Sequence, residues 1–204
     1  ITIRGNDIEV TASIGVATYP EDASTPEELM RNSDLALYLS KESGRNRLSF
    51  FSSKLESLIH EKVFLERKLR AALKHDDLDF FIQPQWCLET GNLNAGEILI
   101  RWFDSEEGMI TPDRFIPVAE ETGLIIEISD WLIDQVFRTL SESRSQIELL
   151  GIKTVAINLS ARQFFSARLA LTISNALKKY NIDAQMIELE LTESAVMEDI
   201  ELAV

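Results

Sequence analysis

Residues 96–102 read Gly-Glu-Ile-Leu-Ile-Arg-Trp, an apolar run interrupted by one carboxylate and one guanidinium. A strand that is buried on both faces normally carries apolar side chains only, so Glu97 and Arg101 need an explanation. Side chains alternate between the two faces of a strand, which places Glu97, Leu99 and Arg101 on one face and the residues between them on the other. The stretch therefore predicts a strand with a carboxylate, an apolar contact and a guanidinium in one row.

Two more apolar runs carry an oxygen-bearing side chain near their carboxyl ends. Residues 155–160 read Val-Ala-Ile-Asn-Leu-Ser and contain Asn158, and residues 187–193 read Ile-Glu-Leu-Glu-Leu-Thr-Glu and contain Glu190. In a β/α barrel, several strands each contribute one ligand at this end. Two carboxylates and an amide oxygen suit Mg2+ or Mn2+. We therefore expect Glu97, Asn158 and Glu190 to be metal ligands; the alternative is that each glutamate forms a structural ion pair.

The region after residue 76 alternates between strand-like and helix-like segments. This alternation of strands and helices indicates parallel strands joined by crossover helices, as in a Rossmann-like sheet or a β/α barrel. No glycine-rich phosphate loop follows any of these strands, which disfavours the dinucleotide-binding and P-loop folds. The predicted strands are Leu78–Gln85, Leu93–Trp102, Thr154–Leu159 and Met186–Thr192, and the predicted helical regions are Pro112–Leu140 and Ala167–Tyr180.

The region before residue 76 reads as strand, strand, helix, strand and then one long helix. Thr25 and Glu28 form a capping box that starts the first helix, and Gly44 ends it. The predicted strands around it are Thr2–Arg4, Ile8–Ala17 and Arg47–Phe51.

A connecting helix is predicted from Ser53 to His75, where apolar residues recur at helical spacing without Gly or Pro. Such a helix would be about 35 Å long, enough to separate two domains. We therefore expect a first domain over residues 1–51, a linker helix over 52–75 and a second domain over 76–204.

The composition restricts the partners of the chain. Its 34 acidic and 20 basic residues give a formal charge of -14, which argues against a nucleic acid polymer as partner. A small anionic ligand would need a metal ion or a well-placed arginine. Cys87 is the only cysteine, which excludes an intrachain disulfide and fits a reducing, cytoplasmic location. We also expect no membrane segment and no secretory signal.

Five motifs, in order and at matching spacing from Leu78 to Val204, together resemble an EAL domain. They are Gln-Pro-Gln at 83–85, Glu-Ile-Leu-Ile-Arg-Trp at 97–102, Thr-Pro-Asp-Arg-Phe-Ile-Pro-Val-Ala-Glu at 111–120, Asn-Leu-Ser at 158–160 and Glu-Leu-Glu-Leu-Thr-Glu-Ser at 188–194. The N-terminal region of the chain is similar to the C-terminal end of a GGDEF domain, through residues 12–17, 34–38 and 41–47.

The EAL resemblance implies an enzyme that hydrolyses one phosphodiester of cyclic di-GMP to the linear dinucleotide with two Mg2+ or Mn2+ ions. It implies Glu97, Asn158 and Glu190 as metal ligands, and Glu193 as a catalytic-site residue beside Glu97 and Glu190. It also implies a nucleotide site lined by Gln83, Leu99, Arg101 and Pro112.

Two departures from the family pattern affect this interpretation. Ile98 replaces the alanine of the motif, but it alternates away from the ligand face, so we expect only a packing adjustment. The family's paired aspartates, its lysine, a later glutamate and glutamine and the remaining strands would lie beyond Val204. We therefore expect an incomplete (β/α)8 barrel that is inactive by itself.

Other readings stay open from the sequence alone. The second domain could be a non-catalytic receptor of cyclic di-GMP, or a domain retained for protein contacts, and homodimer formation is undecided. Lys41 and Arg45 match nucleotide-contacting positions of GGDEF domains, but they also fit a solvated basic helix end. We assign no cyclase activity.

Overall fold

The structure is a computed structural model that describes residues 2–3, 6–7, 10–164 and 166–191. The chain forms two compact units, Ile1–Phe64 and Leu65–Val204. The predicted boundaries at residues 51 and 75 remain a prediction. None of the helices in the described ranges has the length and hydrophobicity needed to cross a bilayer.

The described residues of the first unit form two small sheets, one complete helix and the beginning of a second helix. Strands β1 (Thr2–Ile3) and β2 (Asn6–Asp7) pair antiparallel, β3 (Ile14–Val16) and β4 (Leu48–Phe50) pair parallel, and helix α1 spans Pro26–Glu42. The long strand predicted to end at Ala17 is shorter than expected. Of its described residues, 10–17, only Ile14–Val16 pair with another strand, and Val10 is 67% exposed.

Helix α1 begins as predicted and packs closely on β3. The Thr25 hydroxyl accepts a hydrogen bond from the Glu28 backbone N–H at 3.2 Å, and the Glu28 carboxylate accepts one from the Thr25 N–H at 3.3 Å. A Cβ at Gly15 would lie 2.2 Å from both Leu37 N and Ser33 O. Glycine at this position therefore lets the helix approach the strand backbone.

Helix α2 spans Ser53–His75, which confirms the predicted helical segment. It begins in the first unit and ends in the second. Its final turns are not a solvated spacer, since Leu65, Leu69 and Ala72 are at most 2% exposed. This part of the helix belongs to the core of the second unit.

The second unit is built on one mixed sheet. Its strands are β5 (Leu78–Trp86), β6 (Leu93–Asp104), β7 (Gly108–Ile110), β8 (Thr154–Leu159) and β9 (Ile187–Leu191), in the order β5-β6-β8-β9 with β7 paired to β6. The strands β6, β8 and β9 are parallel, as predicted. Strand β5 runs antiparallel to β6, because residues 87–92 are too few for a crossover connection.

Besides the end of α2, the described residues of the second unit form five helices: α3 (Pro112–Thr122), α4 (Ile125–Glu142), α5 (Arg144–Leu150), α6 (Ala161–Phe164) and α7 (Leu169–Tyr180). The helical region predicted as one segment to Leu140 is two helices, because Gly123 ends α3 in the left-handed conformation with φ of 80°.

The main core of the second unit lies on one face of the sheet. Ile98, Val155 and Ile157 pack there with buried residues of α4, α5 and α7. Ile98 is 2% exposed, which confirms that it faces the helices. Helices thus cover one face of a sheet with parallel central strands, the arrangement of part of a β/α barrel. The opposite face carries Glu97, Asn158 and Glu190.

The end of β6 is also anchored to α2. The Lys68 ammonium donates to the Asp104 carboxylate at 2.7 Å and to the Glu106 carboxylate at 2.8 Å. Asp104 also accepts two backbone N–H bonds in the turn before β7, and these contacts, chiefly the one with Lys68, lower its pKa to about 2. The strand that carries Glu97 and Arg101 is therefore held at its carboxyl end.

Candidate functional site

The strand register brings the three predicted metal ligands to one face of the sheet. Glu97 lies opposite Ala156 in the β6–β8 pair, and Asn158 lies opposite Glu190 in the β8–β9 pair. Directly opposed residues share a face, as do residues two apart in one strand. The Asn158 side-chain amide donates a hydrogen bond to a Glu97 carboxylate oxygen at 2.7 Å. Side chains from three adjacent strands therefore lie on one face of the sheet, and two of them are in direct contact.

The negative charges around Glu190 favour a bound cation. Burial raises the pKa of Glu190, and the negative charges of Glu97 and Glu188 raise it further. In the described part of the chain, neither Glu97 nor Glu190 pairs with a lysine or arginine. The described residues contain no group of three His, Cys, Asp or Glu side chains placed to hold a metal ion; the oxygen donors here are two carboxylates and an amide. A half-turn of the Asn158 amide would present its oxygen, so the set fits a hard divalent ion.

The raised pKa of Glu190 predicts a pH-dependent instability of the metal-free protein. The folded state binds this proton more tightly than the unfolded state, so stability is greatest below the ordinary value of 4.5 and falls as the pH rises through the raised pKa. Glu190→Gln removes the charge. We expect the variant to melt a few degrees above the wild type at neutral pH and to match it below pH 4.5.

Thermal unfolding in the presence of a chelator, followed across this pH range, measures the effect. Glu127→Gln, an exposed substitution on α4, is the matched control and should leave the pH profile unchanged. Added Mn2+ should then stabilise the wild type more than the Glu190→Gln variant. Identical pH profiles for wild type and Glu190→Gln would contradict the electrostatic account.

A cavity of about 240 Å³ adjoins the ligand face. It lies at the carboxyl ends of β6 and β8 and extends between the sheet, α3 and α4. Leu99, Arg101 and Pro112 line it together with Asn158. Gln83 does not line this cavity; it lies opposite Glu97 on β5, on the same face of the sheet. The structure therefore brings three of the four predicted nucleotide-binding residues to a cavity that a predicted metal ligand also lines.

Arg101 is held over an aromatic ring. Its guanidinium carbon lies 5.2 Å from the centre of the Phe81 ring, and one guanidinium nitrogen donates to the Ile100 carbonyl at 2.8 Å. Among the described residues no carboxylate forms an ion pair with Arg101. Its charge is available to an anion, and the stacking restricts the guanidinium to the ligand face.

The predictions for three further residues remain untested. Glu193 lies outside the described residues. Lys41 belongs to the last turn of α1 and Arg45 follows that helix with a φ of 59°, both in the first unit. Neither interpretation of these two residues, nucleotide contact or solvated basic helix end, is tested.

Several residues near the site escaped the sequence analysis. Glu188 could have been found, because it is two residues from Glu190 and therefore on the same face. Phe81 shares its register with Leu99, which no local pattern reveals before the β5–β6 pairing is known. Ser129 and Gln163 are buried polar residues that line the cavity, and only the packing of α4 and α6 brings them there.

The fold defines a domain of the β/α-barrel class, and carboxylate and amide oxygens of Glu97, Asn158 and Glu190 lie on one face of its neighbouring strands. The EAL domain model matches residues 66–203, and the chain belongs to the EAL domain family. The model of the diguanylate cyclase GGDEF domain matches residues 1–47. EAL phosphodiesterases generally depend on divalent metal ions.

Two similar proteins carry a phosphodiesterase activity in their names, one of them together with a cyclase activity. The bifunctional diguanylate cyclase/cyclic di-GMP phosphodiesterase MucR of Pseudomonas aeruginosa is 38% identical over 200 residues, which cover 97% of this chain and 28% of MucR. The cyclic di-GMP phosphodiesterase NbdA of the same organism is 36% identical over 203 residues, which cover 98% of this chain and 25% of NbdA. The chain thus spans about a quarter of the length of these relatives.

Solved structures show the same fold. The PaMucR phosphodiesterase in its c-di-GMP complex matches with a TM-score of 0.63 and 34% identity, covering 68% of this chain and 56% of that one. The EAL enzyme Bd1971 in its form bound to cAMP and cyclic di-GMP matches with a TM-score of 0.63 and 25% identity, covering 86% of this chain and 46% of that one.

Proposed function

We propose that the second unit supplies metal and nucleotide ligands to a phosphodiesterase that hydrolyses cyclic di-GMP to the linear dinucleotide pGpG. The observation that carries the proposal is the convergence of Glu97, Asn158 and Glu190 on one face of three adjacent strands, with Asn158 bonded to Glu97 at 2.7 Å. The relatives with this activity in their names support the choice of substrate.

Each side chain has a defined part in this proposal. Glu97, Asn158 and Glu190 would hold Mg2+ or Mn2+, whose charge would offset the burial and the repulsion from Glu97 and Glu188 that raise the pKa of Glu190. Bound divalent ions in a two-metal site supply an activated water and neutralise charge on the phosphate. Glu193 is proposed as a further residue of the catalytic site.

The nucleotide is held by the neighbouring side chains. Arg101 binds a phosphate or a base edge through a guanidinium that Phe81 keeps on the ligand face. Leu99 and Pro112 offer apolar contact to a flat base, and Gln83 offers an amide beside Glu97. A single arginine and bound cations would let a strongly acidic chain accept an anionic dinucleotide.

Incubation of the full-length protein with cyclic di-GMP and either cation tests the proposal, with the products separated by liquid chromatography. We expect pGpG to form with Mg2+ or Mn2+ and hydrolysis to stop when a chelator is added. Binding without hydrolysis would identify a receptor and overturn the proposed reaction. Failure to bind the nucleotide in the presence of either ion would favour a protein-contact domain and contradict the whole proposal.

A further inference from the structure

Two adjacent side chains of α6 connect the segment after β8 to the junction between α3 and α4. The Arg162 guanidinium donates to the Glu120 carbonyl near the end of α3. The Gln163 side-chain amide donates to the Ile125 carbonyl, at the start of α4, at 3.2 Å. Through Arg162 and Gln163, which we call the bracket, helix α6 therefore connects the end of β8 to the end of α3 and the start of α4.

Gln163 is the buried member of this bracket. It is 6% exposed, and its side-chain oxygen accepts a hydrogen bond from the Ser160 backbone N–H at 2.6 Å. Its own backbone N–H lies 3.1 Å from the Ser160 carbonyl oxygen. The oxygen and the nitrogen of the buried Gln163 side chain are thus both hydrogen-bonded, the oxygen to Ser160 and the nitrogen to Ile125.

The Ser160 contact lies close to the metal-ligand face. Strand β8 ends at Leu159, so the Ser160 N–H is the first backbone donor beyond the strand, and Gln163 satisfies it. Asn158 is two residues before Ser160, and Leu159 between them is 1% exposed. Asn158 and Gln163 also line the same cavity. The backbone that carries the Asn158 amide is therefore fixed by the strand on one side and by Gln163 on the other.

We propose that Gln163 is a positioning residue for the metal ligand Asn158: it holds the tip of β8 against the start of α4 and so sets the direction of the Asn158 amide. This inference rests on the proposed function. It assigns to a residue of α6 a role in cation binding, although that residue does not reach the cation site.

The expected effect follows from how ligands are oriented. Loss of an outer partner of a metal ligand commonly weakens metal binding by about 10- to 100-fold. Gln163 acts through the backbone and not on the ligand side chain, so the lower end, about tenfold, is expected.

Gln163→Met tests the role, because methionine has a similar length and no strong donor or acceptor. The measurement is the Mn2+ affinity of the nucleotide-free, full-length protein, obtained from the electron paramagnetic resonance signal of free Mn2+. We expect affinity to fall about tenfold. Gln163→Glu keeps the acceptor for Ser160 but loses the donor to Ile125, so its affinity should lie between those of the wild type and Gln163→Met. Gln146→Met, at an exposed position of α5, is the matched control and should bind Mn2+ as the wild type does.

A double substitution separates positioning from general destabilisation. If Gln163 acts through Asn158, Gln163→Met should have no further effect on Mn2+ affinity in the Asn158→Ala background. An equal additional loss in that background, or unchanged affinity in the single variant, would overturn the inference. Should Gln163→Met fail to fold, the shorter Gln163→Asn replaces it with the same expected loss, and unchanged affinity there has the same consequence. A wild type that binds no Mn2+ would instead refute the proposed function.

Discussion

Glu97→Gln is expected to reduce cyclic di-GMP hydrolysis by about 10³-fold, because several kcal/mol of charge stabilisation depend on the metal site. The substitution removes one negative charge and one anionic ligand. It leaves the fold intact, since a glutamine oxygen can still accept the hydrogen bond from the Asn158 amide. Hydrolysis rates of the full-length protein with Mn2+ provide the measurement, together with Mn2+ affinity.

The loss should be specific to the position of the charge. Glu127→Gln removes the same charge from an exposed site on α4 and should leave both quantities unchanged. Because Glu97 contributes to the raised pKa of Glu190, its neutralisation should also bring the pKa of Glu190 closer to its ordinary value. Hydrolysis within a few-fold of the wild type would show that Glu97 is not a metal ligand.

Arg101→Ala is expected to weaken nucleotide binding by about 10- to 100-fold, the range for a lost hydrogen bond to a charged group. The fold should tolerate the change, because the described contacts of the guanidinium are the Phe81 ring and the neighbouring Ile100 carbonyl. Calorimetry with a phosphorothioate analogue of cyclic di-GMP and Mn2+ measures affinity without turnover.

Two further variants make the Arg101 result interpretable. Arg101→Lys keeps the charge but lacks the planar fork, so its affinity should lie between those of wild type and Arg101→Ala. Arg70→Ala breaks an exposed pair with Glu66 on α2 and should not affect binding. Equal affinity for wild type and Arg101→Ala would remove Arg101 from the nucleotide site.

The strand tips could be predicted from the sequence because the decisive signal is local. A polar side chain inside an apolar run stands out, and the two-residue period of a strand assigns its face. Glu97 and Asn158 were found in this way, and the structure places them 2.7 Å apart through their polar atoms. The same alternation correctly predicted that the Ile98 side chain packs in the core.

Strand direction and helix breaks needed information of longer range. Alternation is identical in parallel and antiparallel strands, so the alternating pattern does not give the direction of β5. The short connection between β5 and β6 determines that they run antiparallel. The break at Gly123 lies inside a continuous helical pattern, and a glycine there reads equally as a tolerated interior residue. Gln163 has no local signal at all, since its partners Ser160 and Ile125 are brought together by the packing of α4 and α6.

The central claim is that three neighbouring strand ends share a cation, and anomalous diffraction from crystals grown with Mn2+ tests it most directly. The account predicts an anomalous peak within coordination distance of carboxylate oxygens of Glu97 and Glu190 and of the amide oxygen of Asn158. A fully occupied Mn2+ bound elsewhere, with Asn158 still donating to Glu97, would contradict it.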